Sequence, residues 1–267
     1  MSSITIALPS LKSLLVAARA NGGRQLATAT GFAAVHDGRH YLVTNWHVAA
    51  GRNPKDGKFL SKSGAVPDEL FIMHNGAQIG RWDSRVERLH DANGAPLWLE
   101  HPVYGRRVDV VALPLTQTEG ITVYPYDPAS PGLPIAFGPS QTVSIIGFPF
   151  GTTGSGEAGG VPGIWVQGAV ATEPALEFDG LPCFLVDSRT RPGQSGSPVI
   201  VYRTGVYSTD DGSVMASTGP VERFIGVYSG RINKDSDLGF VWKASALVEI
   251  LAAQRPGPMP TIGAPSP

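Results

Sequence analysis

Arg191-Pro-Gly-Gln-Ser195-Gly-Ser-Pro198 sets a serine among glycines immediately ahead of an apolar run, Pro198–Tyr202. Glycine permits the tight backbone turn that other residues resist, and a turn before a strand presents the Ser195 hydroxyl outward. The N–H groups of Gly193 and Ser195 would then point at one spot and could hold a developing oxyanion. One donor of this kind is worth about 3–4 kcal/mol of barrier. A plain glycine-rich turn would look the same, so the chemistry depends on what else the chain supplies.

A serine nucleophile needs a base. The six histidines, His36, His40, His47, His74, His90 and His101, all precede Ser195. That order excludes the α/β-hydrolase arrangement, in which the histidine follows the serine, and Gly-x-Ser-x-Ser also departs from that fold's Gly-x-Ser-x-Gly. His47 lies in Thr44-Asn-Trp-His47-Val-Ala-Ala50, after a β run and at the start of a helical turn. Such a base would fix an imidazole rigidly, although a lone histidine is also an ordinary structural residue. His36 and His40 flank the Asp37–Gly38 turn and His74 precedes Asn75–Gly76, where exposed polar side chains need no further role.

The third requirement is a carboxylate that holds the imidazole in one tautomer. Asp109 stands in Val108-Asp-Val-Val-Ala-Leu113, a run that otherwise reads as an apolar strand. A carboxylate buried there is costly without a partner, which is either a histidine or a salt bridge to Arg106 or Arg107. Asp37, Asp56, Asp91, Asp127 and Asp211 lie in turns and ask for no explanation.

The rest of the chain suits a β framework. Its 33 glycines and 23 prolines occupy roughly a fifth of the 267 positions and exclude a mostly helical fold. Apolar residues at 42% suffice for a core, while charged residues at 16% leave a weakly charged surface. A net charge of −1 gives no basic field for nucleic acid. The one cysteine, Cys183, allows no internal disulfide and reads as a small buried residue.

Strands are expected at Leu26–Val35 and His40–Thr44, joined as a hairpin, then at Glu69–Met73, Gln78–Trp82, Val108–Leu113, Val143–Phe148 and Ile164–Ala171. Phe184–Asp187, Pro198–Tyr202, Phe224–Ser229 and Leu238–Trp242 complete them. Leu11, Leu14, Leu15 and Ala18 follow helical spacing, so Leu11–Ala20 reads as a helix capped by Ser10 and ended by Gly22. A second helix is expected over Ser245–Gln254. The layout is thus a helical extension (1–24), a first β unit (25–116), a proline-rich linker (117–140), a second β unit with its helix (141–254) and a disordered proline-rich tail (255–267).

Gly151–Gly163 reads as a mobile loop. It has phosphate-loop composition at Gly151-Thr-Thr-Gly-Ser-Gly156 but lacks the Gly-Lys-Ser/Thr ending. No His/Cys spacing suggests a metal. The N-terminal stretch reads as neither signal peptide nor membrane span, which points to a cytoplasmic protein, with secretion by another route left open.

Together, Thr44-Asn-Trp-His47-Val-Ala-Ala50, Val108-Asp109-Val-Val-Ala-Leu and Gly193-Gln-Ser195-Gly-Ser-Pro198 resemble the His, Asp and Ser motifs of the chymotrypsin-like (trypsin-like) serine peptidases of disulfide-free bacterial type. The resemblance covers about residues 25–254. It implies an all-β fold of two six-stranded antiparallel β-barrels, here with a short N-terminal and a C-terminal helix, and a cleft between the barrels. His47, Asp109 and Ser195 would be the catalytic residues and Gly193 and Ser195 the oxyanion hole. The partner would be a protein or peptide substrate cleaved through an acyl-enzyme, with no cofactor, no metal, no membrane and no nucleic acid. A catalytically silent or partner-gated peptide-binding module on the same fold is the alternative, and a regulatory partner is left open.

Gln194 stands where zymogen-activated relatives carry an aspartate, so activation by a newly cut N-terminus is not expected. The substrate pocket would be lined by Arg189, Thr190, Tyr228, Ser229, Gly230 and Arg231. The arginines at 189, 191 and 231 suggest acceptance of an acidic side chain. If they face solvent instead, the pocket suits small or apolar side chains.

Overall fold

The computed structural model describes residues 6–152, 162–233 and 235–259. In order along the chain come α1 (Leu8–Lys12), β1 (Ser13–Ala20), β2 (Arg24–His36), β3 (Arg39–Thr44), α2 (Trp46–Ala50), β4 (Glu69–Gly76) and β5 (Trp82–Arg88). They are followed by β6 (Val111–Pro114), β7 (Ile121–Thr122), β8 (Thr142–Gly147), β9 (Ile164–Val170), β10 (Cys183–Ser188), β11 (Pro198–Ser208), β12 (Val214–Arg231), β13 (Leu238–Lys243) and α3 (Ala244–Ala253). The strands make two antiparallel sheets, as the all-β two-barrel expectation required.

The first sheet runs β5-β4-β1-β2-β3-β6, with β7 beside β4. Its ring is completed by residues 97–99: Leu97 N–H donates to the Leu89 carbonyl at 2.9 Å, and Leu99 exchanges hydrogen bonds of 2.8 and 3.2 Å with Ala112. The second sheet is a closed barrel, β10-β13-β12-β11-β8-β9. The β2–β3 hairpin turns through Asp37 and Gly38 at φ 48° and 73°, the paired positive values whose twist matches that of the flanking strands.

Residues 11–20 differ from their expected helix. Only Leu8–Lys12 is helical, with Pro9 in its first turn, and Ser13–Ala20 is an inner strand paired with both β2 and β4. Leu14, Val16 and Ala18 enter the first barrel's core at period two, and the helical spacing of 11, 14, 15 and 18 is a coincidence of a strand buried on both faces. Gly22 serves the β1–β2 turn, and Ser10, expected as a cap, accepts a hydrogen bond from Trp165 Nε1 at 2.7 Å. Residues 13–24 therefore belong to the first barrel, not to an extension of it.

Other boundaries move for similar reasons. Gln78–Gly80 forms the turn ahead of β5, and Asn75–Gly76 continues β4. His74 is consequently 1% exposed instead of lying at a surface turn. Within the linker, Tyr126 exchanges hydrogen bonds with Ala33 and Val35, whereas Ala136 bonds to Ser208 of β11, so this segment crosses from one barrel to the other while paired to each. The tail is ordered at its start: Arg255 and Gly257 bond to Glu100 and Trp98 of the first barrel. Residues 260–267 and most of the glycine-rich loop, 153–161, lie outside the described residues. No helix among the described residues is long and apolar enough to cross a membrane.

Between the barrels lies a common core. Phe32, Tyr41, Val43 and Val110 from the first half meet Ile146, Ile200, Phe224 and Trp242 from the second, and α3 adds Leu247, Ile250 and Leu251. Residues at the ends of β3, β6 and β11 are thereby held in a fixed relation, and these ends carry the site.

Candidate active site

His47 is the second residue of α2, which begins after the single residue Asn45 that follows β3, and β3 is buried from Tyr41 to Thr44. The short helix is closed by Gly51 at φ 62°, a left-handed conformation that glycine adopts at little cost. The imidazole is therefore carried on a stiff strand end, with 21% of the side chain exposed.

Asp109 lies just ahead of β6, after a 3₁₀ turn at Gly105–Arg107, and not within a strand. It is 5% exposed, and its carboxylate makes two bonds to the histidine: Oδ2 lies 2.7 Å from His47 Nδ1, and Oδ1 accepts the His47 backbone N–H at 2.9 Å. This pairing replaces the alternative salt bridge to Arg106 or Arg107. Asn45 Nδ2 donates to the Asp109 carbonyl at 2.6 Å and ties the two segments together from the other side. With Nδ1–H turned to the carboxylate, Nε2 carries the lone pair.

Desolvation in the cleft lowers the His47 pKa, but the charge and hydrogen bond of Asp109 together outweigh it, and the net shift is upward from 6.5. The carboxylate thus stabilises the imidazolium.

Ser195 sits in the turn before β11. Gly196 N–H donates to the Tyr228 carbonyl at 2.8 Å and Tyr228 N–H to the Ser197 carbonyl at 2.9 Å, which fastens the turn to β12. Gly193 and Gly196 have φ of 99° and 86°, and a Cβ on Gly196 would fall 2.1 Å from the Thr30 carbonyl. Both are therefore confined to glycine. The Gly193 and Ser195 N–H groups make no hydrogen bond among the described residues, whereas the Gln194 N–H and Ser197 N–H close the turn on Arg191 and Gln194. Gln194, fully buried, accepts the Arg191 N–H on its side chain at 2.8 Å.

Ser195 Oγ donates to the Ser229 carbonyl at 3.4 Å, and no hydrogen bond joins it to His47. Catalytic hydrogen bonds are often unmade without substrate.

Thr30, on β2, was not singled out from sequence, yet it joins the two barrels at the site. Its N–H donates to the Ser195 carbonyl at 2.9 Å. Its hydroxyl donates to the Gly193 carbonyl at 2.8 Å and accepts the Phe148 N–H at 3.0 Å. Its own carbonyl accepts the Thr44 hydroxyl at 2.8 Å. A threonine at the point where β2 turns from exposed to buried was the available signal, and nothing local reveals a partner more than a hundred positions away. Phe150 adds a second brace, its N–H donating at 2.6 Å to the carbonyl of Pro192 and so orienting the Pro192–Gly193 peptide.

Around the expected pocket, Thr190 and Tyr228 are buried and hydrogen-bonded to each other through their hydroxyls. Tyr228 belongs to the second barrel's core, and its ring lies against Gly239, where a Cβ would come within 2.5 Å. Ser229 and Gly230 are partly exposed on β12, which shifts register between Tyr228 and Gly230. Arg189, Arg191 and Arg231 are exposed, and Arg191 bonds to the Thr190 carbonyl. Cys183 is buried, and burial first among its causes pushes its thiol up to about 11, so it is no nucleophile.

Among solved structures, the chain is similar to a thermostable serine protease, AL20, from an extremophilic microorganism, with 13% identity and a TM-score of 0.50 over 92% of this chain and 98% of that one. It is also similar to the serine endoprotease of Yersinia pestis, with 13% identity, a TM-score of 0.49, and coverage of 94% and 67%. The active form of the Rv3671c protease of M. tuberculosis gives 15% identity, a TM-score of 0.45, and coverage of 97% and 85%. A search of curated protein sequences returns no match. A profile of the trypsin-like peptidase domain matches residues 29–207, which hold His47, Asp109 and Ser195 in order. On that match, and with a fold of two antiparallel β-barrels, the chain belongs to the trypsin-like peptidase domain family of serine proteases.

Proposed function

We propose that the protein is a serine endopeptidase working through His47, Asp109 and Ser195. The observation that carries this reading is the two-point contact of Asp109 with His47, at 2.7 and 2.9 Å, which leaves Nε2 as the lone-pair nitrogen. His47 Nε2 takes the Ser195 proton as Oγ attacks the scissile carbonyl carbon, and the Gly193 and Ser195 N–H groups receive the negative charge on its oxygen. The proton then passes to the leaving amine, the C–N bond breaks, and water repeats the sequence on the acyl-enzyme.

Substrate supplies the step that aligns the nucleophile. An extended peptide pairing with Ser229–Arg231 as an added strand directs an N–H at the Ser229 carbonyl. That N–H displaces the long bond from Ser195 Oγ, which is then free to turn to His47. The Thr190 and Tyr228 hydroxyls are buried against each other, and Arg189, Arg191 and Arg231 are exposed, which supports a pocket without a committed charge. Cleavage after small or apolar residues is the expected preference. The single cysteine suits a cytoplasmic location.

The test is labelling by a fluorophosphonate probe near neutral pH, followed by profiling on a peptide library. Wild type should label, and Ser195→Ala and His47→Ala should not. A folded wild type that fails to label, alone or with peptide substrate added, sinks the reading in favour of a silent binding module. Cleavage only after Asp or Glu would overturn the pocket assignment alone.

A further inference from the structure

A cavity of about 680 Å³ lies beneath α2 on the first barrel, apart from the serine turn. Five cations border it, Arg52, Lys55, Arg106, Arg107 and Arg255, out of 21 lysines and arginines in a chain of net charge −1. Among the described residues none of the five has a carboxylate within salt-bridge distance. The one acid in the wall, Glu100, is 5% exposed and already accepts the indole N–H groups of Trp46 and Trp98 at 2.8 and 3.0 Å.

Two of the guanidinium groups meet at one residue. Arg52 Nη1 donates to the Gly57 carbonyl at 3.1 Å, and Arg106 Nη1 lies where a Cβ on Gly57 would come within 2.9 Å of it. Gly57 thus lies beside both guanidinium groups, and Arg52 also stacks on the Phe59 ring at 3.9 Å, so both arginines are held at the cavity without an anionic partner among the described residues. Trp46, Trp98 and Tyr104 supply flat apolar walls beside this charge. The volume is that of a small-molecule site.

We propose that the cavity binds a small polyanion with a flat apolar portion, held through its phosphate or carboxylate groups by Arg52, Arg106 and Arg107. Guanidinium forks match both anions in bidentate geometry. The walls include Trp46, the neighbour of His47, and the Gly105–Arg107 turn that leads into Asp109. A ligand here therefore braces the two segments that carry the imidazole and its carboxylate. The chain's own residues 260–267 contain no acidic side chain with which to neutralise the cations.

Isothermal titration of the full chain with phenyl phosphate and pyrophosphate, and separately with benzene-1,3,5-tricarboxylate, distinguishes the two anion chemistries. Expected is one-to-one binding of at least one of them, weakened at least about tenfold in the double variant Arg106→Ala/Arg107→Ala. Arg39→Ala, on the exposed hairpin turn, should bind as wild type does. Arg106→Gln, with folding checked by circular dichroism, serves if the double variant does not fold. No binding to wild type, undiminished binding to the arginine variants, or equal loss in Arg39→Ala would each overturn the proposal. Binding is read without turnover, so Ser195→Ala protein gives the same answer whether or not the chain is a peptidase.

Discussion

At His47 two opposing influences set the pH dependence. Desolvation lowers its pKa, the Asp109 charge and hydrogen bond raise it, and the sum lies above 6.5. In the proposed mechanism only the neutral imidazole can take the Ser195 proton, so kcat/KM should fall as pH drops, with a midpoint above 6.5. Asp109→Asn removes both raising influences and the tautomer's anchor. Turnover should then fall about 10⁴-fold, and the acid midpoint should move downward; an unchanged midpoint in the pH–rate profile would count against the pairing. His74 carries the opposite sign and acts on stability. Burial first, and the Arg85 charge second, push its pKa down to about 4 from 6.5. The unfolded chain binds the proton more readily in this interval, so stability is full above 6.5 and declines as pH falls towards 4. The decline attributable to this residue is about 3 kcal/mol. His74→Gln should flatten it, as measured by urea unfolding at either end of the interval.

Among the elements, β2 and the serine turn depend on each other through Thr30. Its hydroxyl links the Gly193 carbonyl to the Phe148 N–H and so fixes the Gly193–Gln194 peptide inside the turn. Thr30→Val keeps the shape but leaves a buried carbonyl and a buried N–H unpaired, which costs about 1–3 kcal/mol for each group. The N–H donors should lose alignment before the barrel loses its fold. We expect kcat to fall about 10–100-fold with KM nearly unchanged, because the loss is felt by the transition state; a change confined to KM would assign Thr30 to substrate binding instead. The β1 strand carries the clearest lesson about reading elements from sequence. Alternation of Leu14, Val16 and Ala18 was present, but a strand buried on both faces also has apolar residues between them, and a helical period can be drawn through the same letters. The hairpin at Asp37–Gly38 was legible because its turn chemistry is local.

Across the molecule, the first and last described segments are each fastened to the opposite barrel. At the N-terminus, Lys12 pairs with Glu222 of β12 at 2.9 Å, Ser13 Oγ donates to the Ile146 carbonyl at 2.8 Å, and Trp165 reaches Ser10. At the C-terminus, α3 packs Leu247, Ile250 and Leu251 into the core shared with the first barrel, and Tyr41 donates to Gln254 at 3.1 Å. These crossed contacts should make the two barrels unfold together. Leu251→Ala, 1% exposed in wild type, should cost about 2–5 kcal/mol and shift the transition of both barrels equally. Tryptophan variants that retain only Trp98 or only Trp165 would report on each barrel, and two separated transitions would sink the coupling.

The sequence by itself determined the chemistry's alphabet: a serine in a glycine turn, an imidazole at a strand end, a lone carboxylate inside an apolar run, and a glycine and proline content hostile to long helices. These are local properties, set by backbone sterics and by the cost of burying charge, and they need no knowledge of distant residues. Tertiary structure alone decided that Asp109 meets His47 and not Arg106 or Arg107, that Thr30 clamps the serine turn, that residues 13–20 are an inner strand, and that five cations face one cavity. Each of those depends on partners brought together across the core, where hydrogen bonds and packing select among arrangements that local propensity leaves equivalent.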